Sequence, residues 1–182
     1  PIFLSVGRVA VEKNLEALLG LDLPGSTVIV GDGPARRRLE RRYPHAHFLG
    51  ARHGEALADI YASADVFVFP SRTDTFGIVM IEAMASGLPV AAFPVAGPID
   101  VVAPGAGVLD EDLRAACLEA LTIPRDRPRQ HSLRFTWTES ARQFLDNIEA
   151  SGSEREAATV SPFRGGTQPA ANERPRRASC PV

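Results

Sequence analysis

A strand–turn–helix segment at residues 66–89 constrains the fold of this chain more than any other feature. It begins with four apolar residues, Val66-Phe67-Val68-Phe69, and this run ends at Pro70. Such a short apolar run is typical of a strand that is buried on both faces of a parallel sheet. A helix with inward-facing apolar residues is predicted to follow and to end at Gly87-Leu88-Pro89. Because parallel strands need crossover connections, the segment predicts an α/β sheet.

The rest of the first 150 residues repeats this alternation of short apolar runs and helical patterns. Further strands are predicted at residues 2–6, 26–30, 47–50, 90–93 and 105–109. Helices are predicted between them, and Thr138 is predicted to cap the last one. A polar segment broken by proline is predicted at residues 123–130. The patterns therefore predict a doubly wound, mostly parallel, Rossmann-like α/β sheet.

The composition of the chain changes after residue 150. Residues 151–182 are rich in Pro, Gly, Ser, Ala, Arg and Glu, and their sizeable apolar residues are Val160, Phe163 and Val182. Such a segment cannot bury enough apolar surface to offset the entropy of ordering it. We therefore predict a domain at residues 1–150 and a disordered C-terminal tail at residues 151–182.

Charge, hydropathy and cysteine content argue against several classes of protein. The net charge of -2 argues against a nucleic-acid partner, and the sequence has neither a signal peptide nor an apolar run that could span a bilayer. Cys117 and Cys180 lie far apart, which favours a reduced, cytoplasmic setting. His45, His47 and His53 have no Cys or carboxylate at ligand spacing, so we predict no metal site.

Candidate ligand-binding groups lie where the predicted strand at residues 66–69 ends. Ligands of open α/β sheets lie beyond the carboxyl ends of the strands, where helix N-termini offer free N–H groups. A phosphate can therefore rest on the amides of Phe76, Gly77 and Ile78, and glycine allows close approach. Asp74 precedes these residues and Glu82 follows it by eight positions, so one carboxylate can meet a sugar hydroxyl and the other a ribose.

Each of these acids also fits a structural role when it is taken alone. Thr73, Asp74 and Thr75 can all cap the predicted helix, and an acid at a helix start is most often a cap. Glu82 fits the role of a surface residue at the edge of an apolar helix face. Their combination is more specific than either acid.

Lys13 is the single lysine among 20 basic residues, and it follows the first predicted strand together with Arg8. An ammonium is a compact point charge that a planar guanidinium does not replace, which suggests that Lys13 binds an anion. The alternative is a lysine on a solvated loop.

The segment Gly31-Asp32-Gly33 resembles the beginning of a dinucleotide-binding fingerprint. Arg36 stands where the third Gly or Ala of that motif belongs. The motif is incomplete, which argues against a nicotinamide cofactor.

The segment that contains Asp74 and Glu82, together with the one that contains Arg8 and Lys13, resembles the retaining family 4 glycosyltransferases of the GT-B group. The family pattern is an acid, seven residues and then Glu, and Asp74 and Glu82 fall on these positions, with Asp where the family more often has Glu. Gly7-Arg8 and Glu12-Lys13-Asn14 match its Gly-Arg…Glu-Lys pair. The sequence of residues 72–77, Arg-Thr-Asp-Thr-Phe-Gly, resembles the branch of this family that includes many bacterial α-mannosyltransferases. The resemblance covers about 150 residues.

The resemblance implies the C-terminal, donor-binding half of a GT-B enzyme. Its reaction would transfer a hexosyl unit, with mannosyl favoured, from a nucleotide-diphosphate sugar to an acceptor hydroxyl with retention. The implied catalytic residues are Asp74, Arg8 and Lys13. The implied donor-binding residues are Arg8 and Lys13 for the diphosphate, Thr75, Phe76, Gly77 and Ile78 near the phosphate and sugar, Glu82 for the ribose, and Gly50 and Ala51 for the nucleobase.

The resemblance also implies that the enzyme needs no cofactor and no metal. The acceptor site belongs to an N-terminal domain that this chain lacks, and the chain starts at Pro1 directly in a predicted strand, so we expect a fragment that transfers sugar poorly alone. Peripheral membrane association of the full-length enzyme is compatible with the family. Two alternatives stay open: a nucleotide-sugar epimerase of the same architecture, and a nucleotide-sugar-binding module without chemistry.

Overall fold

The computed structural model describes residues 1–74 and 76–159, with side chains described up to residue 148. The chain divides into two units, Pro1–Glu139 and Ser140–Val182, and the division falls within its last helix.

Six strands form a single parallel sheet in the first unit. They are β1 (Ile2–Val6), β2 (Ser26–Val30), β3 (His47–Gly50), β4 (Val66–Phe69), β5 (Val90–Ala92) and β6 (Gly107–Leu109). Their order across the sheet is β3-β2-β1-β4-β5-β6, and every neighbouring pair is parallel. This is the order of a doubly wound sheet whose two halves meet between β1 and β4. The predicted fold class is confirmed.

Helices lie between the strands and after the last one. They are α1 (Leu15–Leu19), α2 (Arg36–Arg42), α3 (Gly54–Ser63), α4 (Ile78–Ala85), α5 (Pro98–Val101), α6 (Leu113–Ala120), α7 (Asp126–Ser132) and α8 (Trp137–Thr159), and a 3-10 turn at Val11–Lys13 precedes α1. None of the helices in the described part of the chain is long and apolar enough to cross a membrane.

The core lies in two layers, one on each face of the sheet. Successive residues of a strand point to opposite faces, so Val66 and Val68 of β4 pack in one layer and Phe67 and Phe69 in the other. All four side chains are buried, as expected for a central strand covered by helices on both faces.

Two predictions about the helices at the end of the first unit are wrong. A helix, α7, forms where a proline-broken segment was expected, because Pro128 lies in its first turn, where the missing N–H has no intrahelical partner to lose. Thr136, and not Thr138, caps α8: the amide of Glu139 donates to Thr136 Oγ1 at 3.1 Å. The helix begins at Trp137, so Thr138 is already inside it.

The last helix also continues past the predicted domain end. It extends through residues 151–159, where we expected disorder, and the remaining predicted tail, residues 160–182, lies outside the described residues. The sequence of residues 154–158 is Glu-Arg-Glu-Ala-Ala, and these residue types are strong helix formers. The low apolar content of these residues does not reflect that propensity.

Candidate functional site

A cleft of about 590 Å³ lies at the carboxyl ends of β1 and β4, where the strand order reverses. The loops after both strands and the first turn of α4 form its walls. In open α/β sheets this switch point is where ligands bind. The cleft brings together six predicted site residues: Arg8, Lys13, Asp74, Phe76, Gly77 and Ile78.

An ion pair joins the two walls of this cleft. Lys13 Nζ donates to Asp74 Oδ1 at 2.5 Å, and the two side chains are only 28% and 23% exposed. Burial raises the pKa of Asp74, but the hydrogen bond from Lys13, the nearby Ser71 hydroxyl and the Lys13 charge outweigh it and bring the pKa below its usual value. Asp74 is therefore an ionised carboxylate at neutral pH.

The second oxygen of Asp74, Oδ2, is buried and accepts no hydrogen bond from the residues that the structure describes. The nearby Ser71 hydroxyl has one hydrogen, and it donates this hydrogen to the carbonyl of Glu12 at 3.3 Å. Oδ2 is thus an acceptor that a ligand hydroxyl can satisfy.

Asp74 is not the helix cap that its position allows. The residue before α4 is Gly77, which has a left-handed backbone with φ +76°, and no described side chain caps this helix. The alternative role of a helix cap is therefore not found for Thr73 and Asp74, while Thr75 lies outside the described residues. The Met80 amide donates to the carbonyl of Gly77 at 2.9 Å, whereas the amides of Ile78 and Val79 at the start of α4 have no side-chain cap among the described residues and can receive a phosphate.

Two further hydrogen bonds, which the sequence analysis missed, hold the cleft walls together. Asn14 Nδ2 donates to the carbonyl of Pro70 at 3.0 Å, and the Ser71 hydroxyl donates to the carbonyl of Glu12. Asn14 has φ +50°, a conformation in which Asn is enriched among non-glycine residues. An Asn directly before a predicted helix was a signal for this turn, but nothing in the sequence indicated its partner.

Arg8 lies at the exposed mouth of the cleft. Its Nη1 is 3.7 Å from Glu12 Oε1, and the two side chains are 67% and 52% exposed. Such a long, solvated ion pair contributes little free energy. The guanidinium can therefore move onto an incoming anion at little cost.

Three other predicted donor-binding residues, Glu82, Gly50 and Ala51, do not line the cleft. Glu82 accepts a hydrogen bond from the hydroxyl of Tyr61 at 3.0 Å. Burial, followed by the Glu82 charge, raises the pKa of Tyr61, which keeps this hydroxyl protonated as a donor. Gly50 ends β3, and the Ala51 amide donates to Asp32 Oδ2 at 2.9 Å.

The glycines of the Gly31-Asp32-Gly33 segment have a packing role. A Cβ at Gly31 would lie 1.9 Å from the carbonyl oxygen of Gly7, and one at Gly33 would lie 2.4 Å from that of Val9. The segment follows β2 and supports the loop after β1, whereas the dinucleotide fingerprint follows the first strand. The incomplete motif therefore gives no support to a nicotinamide site.

The structure offers no candidate metal centre within residues 1–74 and 76–159. No group of three or more His, Cys, Asp or Glu side chains there could hold an ion.

The amino-acid sequence matches a known family model and curated relatives. The family model described as "Glycosyl transferases group 1" matches residues 1–123. The GDP-mannose-dependent alpha-mannosyltransferase of Mycobacterium tuberculosis is 50% identical over 106 residues, which are 57% of this chain and 28% of that protein. The sulfoquinovosyl transferase SQD2 of Arabidopsis thaliana is 43% identical over 107 residues, which are 56% of this chain and 21% of that protein. The chain thus spans less than a third of the length of these relatives.

A solved structure has a similar fold. Anabaena Alr3699/HepE, crystallised in complex with UDP, aligns with a TM-score of 0.62 over 82% of this chain and 48% of that chain, at 20% sequence identity. At this identity the likeness concerns the fold alone.

Proposed function

This chain belongs to the glycosyl transferases group 1 family, and from this premise we propose that it is the donor-binding half of a GT-B hexosyltransferase. The proposed reaction transfers a hexosyl unit from a nucleotide-diphosphate sugar to an acceptor hydroxyl. The observation that carries the proposal is the cleft between β1 and β4, where Arg8, Lys13 and the start of α4 line one cavity with Asp74.

The cationic side of the cleft fits a diphosphate leaving group. When the bond between the sugar carbon and the β-phosphate oxygen breaks, negative charge grows on that oxygen. The Lys13 ammonium, the Arg8 guanidinium and the α4 amides supply positive charge or hydrogen-bond donors for it. Asp74 Oδ2, which has no described partner, would accept a hydrogen bond from a sugar hydroxyl and orient the transferred unit.

We propose GDP-mannose as the donor, because relatives that are 50% identical are named GDP-mannose-dependent alpha-mannosyltransferases. The 43% identical sulfoquinovosyl transferase is a relative with a different sugar in its name, so other nucleotide sugars belong in the same test. Retention of the anomeric configuration is proposed from the resemblance of Asp74 and Glu82 to the family pattern. An acceptor site outside this chain is proposed because the chain matches less than a third of these relatives.

The cellular setting is part of the proposal. The two distant cysteines favour a cytoplasmic location. Peripheral membrane association, the absence of a metal requirement, and the donor roles of Glu82, Thr75, Gly50 and Ala51 stay predictions from the resemblance.

Calorimetric titration of the 182-residue chain with GDP, UDP and ADP tests donor binding. We expect GDP to bind best and Lys13→Gln to weaken it at least about tenfold, because a charge-assisted contact to phosphate is lost. Arg41→Gln is the matched control, since it removes the same charge from α2, which does not line the cleft. Equal losses in both variants, or no nucleotide binding by the unaltered chain, would contradict the proposal.

Chemistry is tested in the longer protein that contains this chain. We expect a glycosylated acceptor as the product and expect Asp74→Ala to abolish it. An epimerised or free sugar formed without acceptor would favour the epimerase. If the unaltered longer protein and its Asp74→Ala variant bind the nucleotide sugar equally well and neither forms a product, the binding module is favoured.

A further inference from the structure

We propose that Asp74 is a specificity-determining residue that lets the site distinguish a nucleoside diphosphate sugar from the bare nucleoside diphosphate. It would do so by competing with the diphosphate for Lys13. The inference rests on the proposed function and concerns the same cleft.

The geometry of the ion pair carries the first step. Lys13 Nζ is 2.5 Å from Asp74 Oδ1, both side chains are mostly shielded from water, and the pair lies inside the cleft. An ammonium that is already neutralised by a carboxylate attracts a phosphate less than a free one does. A diphosphate must therefore share Lys13 with Asp74 or displace it.

When a diphosphate displaces Asp74 from Lys13, the negative charge of the Asp74 carboxylate is left without its cation. Oδ2 is buried without a hydrogen bond from any described residue, and loss of Lys13 would leave Oδ1 in the same state. A half-buried carboxylate without a partner, next to a bound anion, is costly. A bare nucleoside diphosphate has no group that removes this cost.

A sugar on the diphosphate supplies what the bare nucleotide lacks. Its hydroxyls can donate to the two oxygens of Asp74, so Lys13 is released to the phosphates while the carboxylate keeps its hydrogen bonds. Binding of the sugar and binding of the diphosphate then favour each other, and by linkage the effect is reciprocal. After the sugar has been transferred, Asp74 forms its ion pair with Lys13 again, and the product nucleotide is bound less tightly.

A second carboxylate in the cleft separates this competition from simple charge repulsion. Glu12 also lines the cleft, but its carboxylate lies 3.7 Å from Arg8 and is not the partner of Lys13. Glu12→Gln and Asp74→Asn each remove one negative charge. General repulsion predicts similar effects from both, whereas competition predicts a larger effect from Asp74→Asn that requires Lys13.

The experiment is a titration of the 182-residue chain with GDP and with GDP-mannose. We expect Asp74→Asn to tighten GDP binding about tenfold, a change of about 1.4 kcal/mol, and to reduce the preference for GDP-mannose over GDP by a similar factor. We expect less than about threefold tightening from Glu12→Gln, because its charge is more exposed. In a Lys13→Gln background only the repulsion between Asp74 and the bound anion is left, so we expect Asp74→Asn to tighten GDP binding by less than it does in the unaltered chain.

Three results would overturn the inference: unchanged or weaker GDP binding by Asp74→Asn, equal tightening by Glu12→Gln, or tightening by Asp74→Asn that is as large without Lys13 as with it. If these occur while Lys13→Gln alone still weakens GDP binding, the proposed function stands and only the role of Asp74 falls. If Asp74→Asn does not fold, the unaltered chain is titrated with GDP at increasing concentrations of free mannose. We expect mannose to tighten GDP binding there, and a flat response would overturn the inference.

Discussion

Replacement of Gly31 by alanine tests the packing that supports the cleft. Gly31 has φ +138°, and a Cβ there would lie 1.9 Å from the backbone carbonyl oxygen of Gly7, far inside any real contact. The backbone strain costs about 1–3 kcal/mol. Displacement of the Gly7 loop by overpacking adds about 1–3 kcal/mol. We therefore expect Gly31→Ala to lower the free energy of unfolding by about 4 kcal/mol.

Gly54→Ala is the matched control. Gly54 also has a left-handed backbone, with φ +56°, but a Cβ there would meet no atom within 4 Å. Its cost should be limited to backbone strain, about 1 kcal/mol. Urea denaturation followed by far-ultraviolet circular dichroism measures both losses. If Gly31→Ala is no more destabilising than Gly54→Ala, the glycine does not serve close packing and the dinucleotide-binding interpretation of this segment reopens.

Three further predictions follow from single groups. Tyr61→Phe removes the hydroxyl that donates to Glu82 and should cost about 1 kcal/mol in urea denaturation, because a partly buried hydrogen bond is lost; no loss would mean that water replaces it. Burial, with a smaller contribution from a nearby carboxylate, raises the pKa of Cys117 to about 12, so in a Cys180→Ser variant the thiol should react with a disulfide reagent at pH 8 only after unfolding. The pKa of Asp74 is lowered in the folded state, so its ion pair stabilises the fold above the unfolded pKa of about 3.9 and this stability is lost as pH falls through the folded pKa. The stability difference between the unaltered chain and Asp74→Asn should therefore be constant from about pH 8 to 5 and shrink below about pH 4, whereas a difference that grows with acid would contradict the sign of the shift.

The sheet and the position of the cleft were predictable because both follow from general rules of parallel strands. Short apolar runs separated by helical patterns predict parallel strands joined by crossover helices. In such a sheet the carboxyl ends of all strands lie at the same edge. Arg8 and Lys13 follow β1 and Asp74 follows β4, so the pairing of these two strands brings distant residues into one cavity.

The partners within the cleft were not predictable, because they depend on side-chain directions that the sequence does not encode locally. Asp74 had equally good local reasons to cap α4, and only the three-dimensional arrangement shows that Lys13 is its partner. The role of Gly31 depends on a contact with Gly7, which belongs to another loop. Local capping rules and motif patterns describe neighbours along the chain, whereas these contacts join residues more than twenty positions apart.

Hydrogen bonds between the loops after β1 and β4 explain how an aspartate can occupy a position where the family more often has glutamate. The side chain of Asp is one methylene shorter, so its carboxylate reaches Lys13 only if the backbone of the two loops is close. Asn14 binds the carbonyl of Pro70, and Ser71 binds the neighbouring loop, so the two chain segments are tied on either side of the cleft. A short acid loses less rotamer entropy when it is held than a longer one does. The reach of the carboxylate is thus set by the backbone, and the Asp74–Lys13 pair forms without the extra methylene.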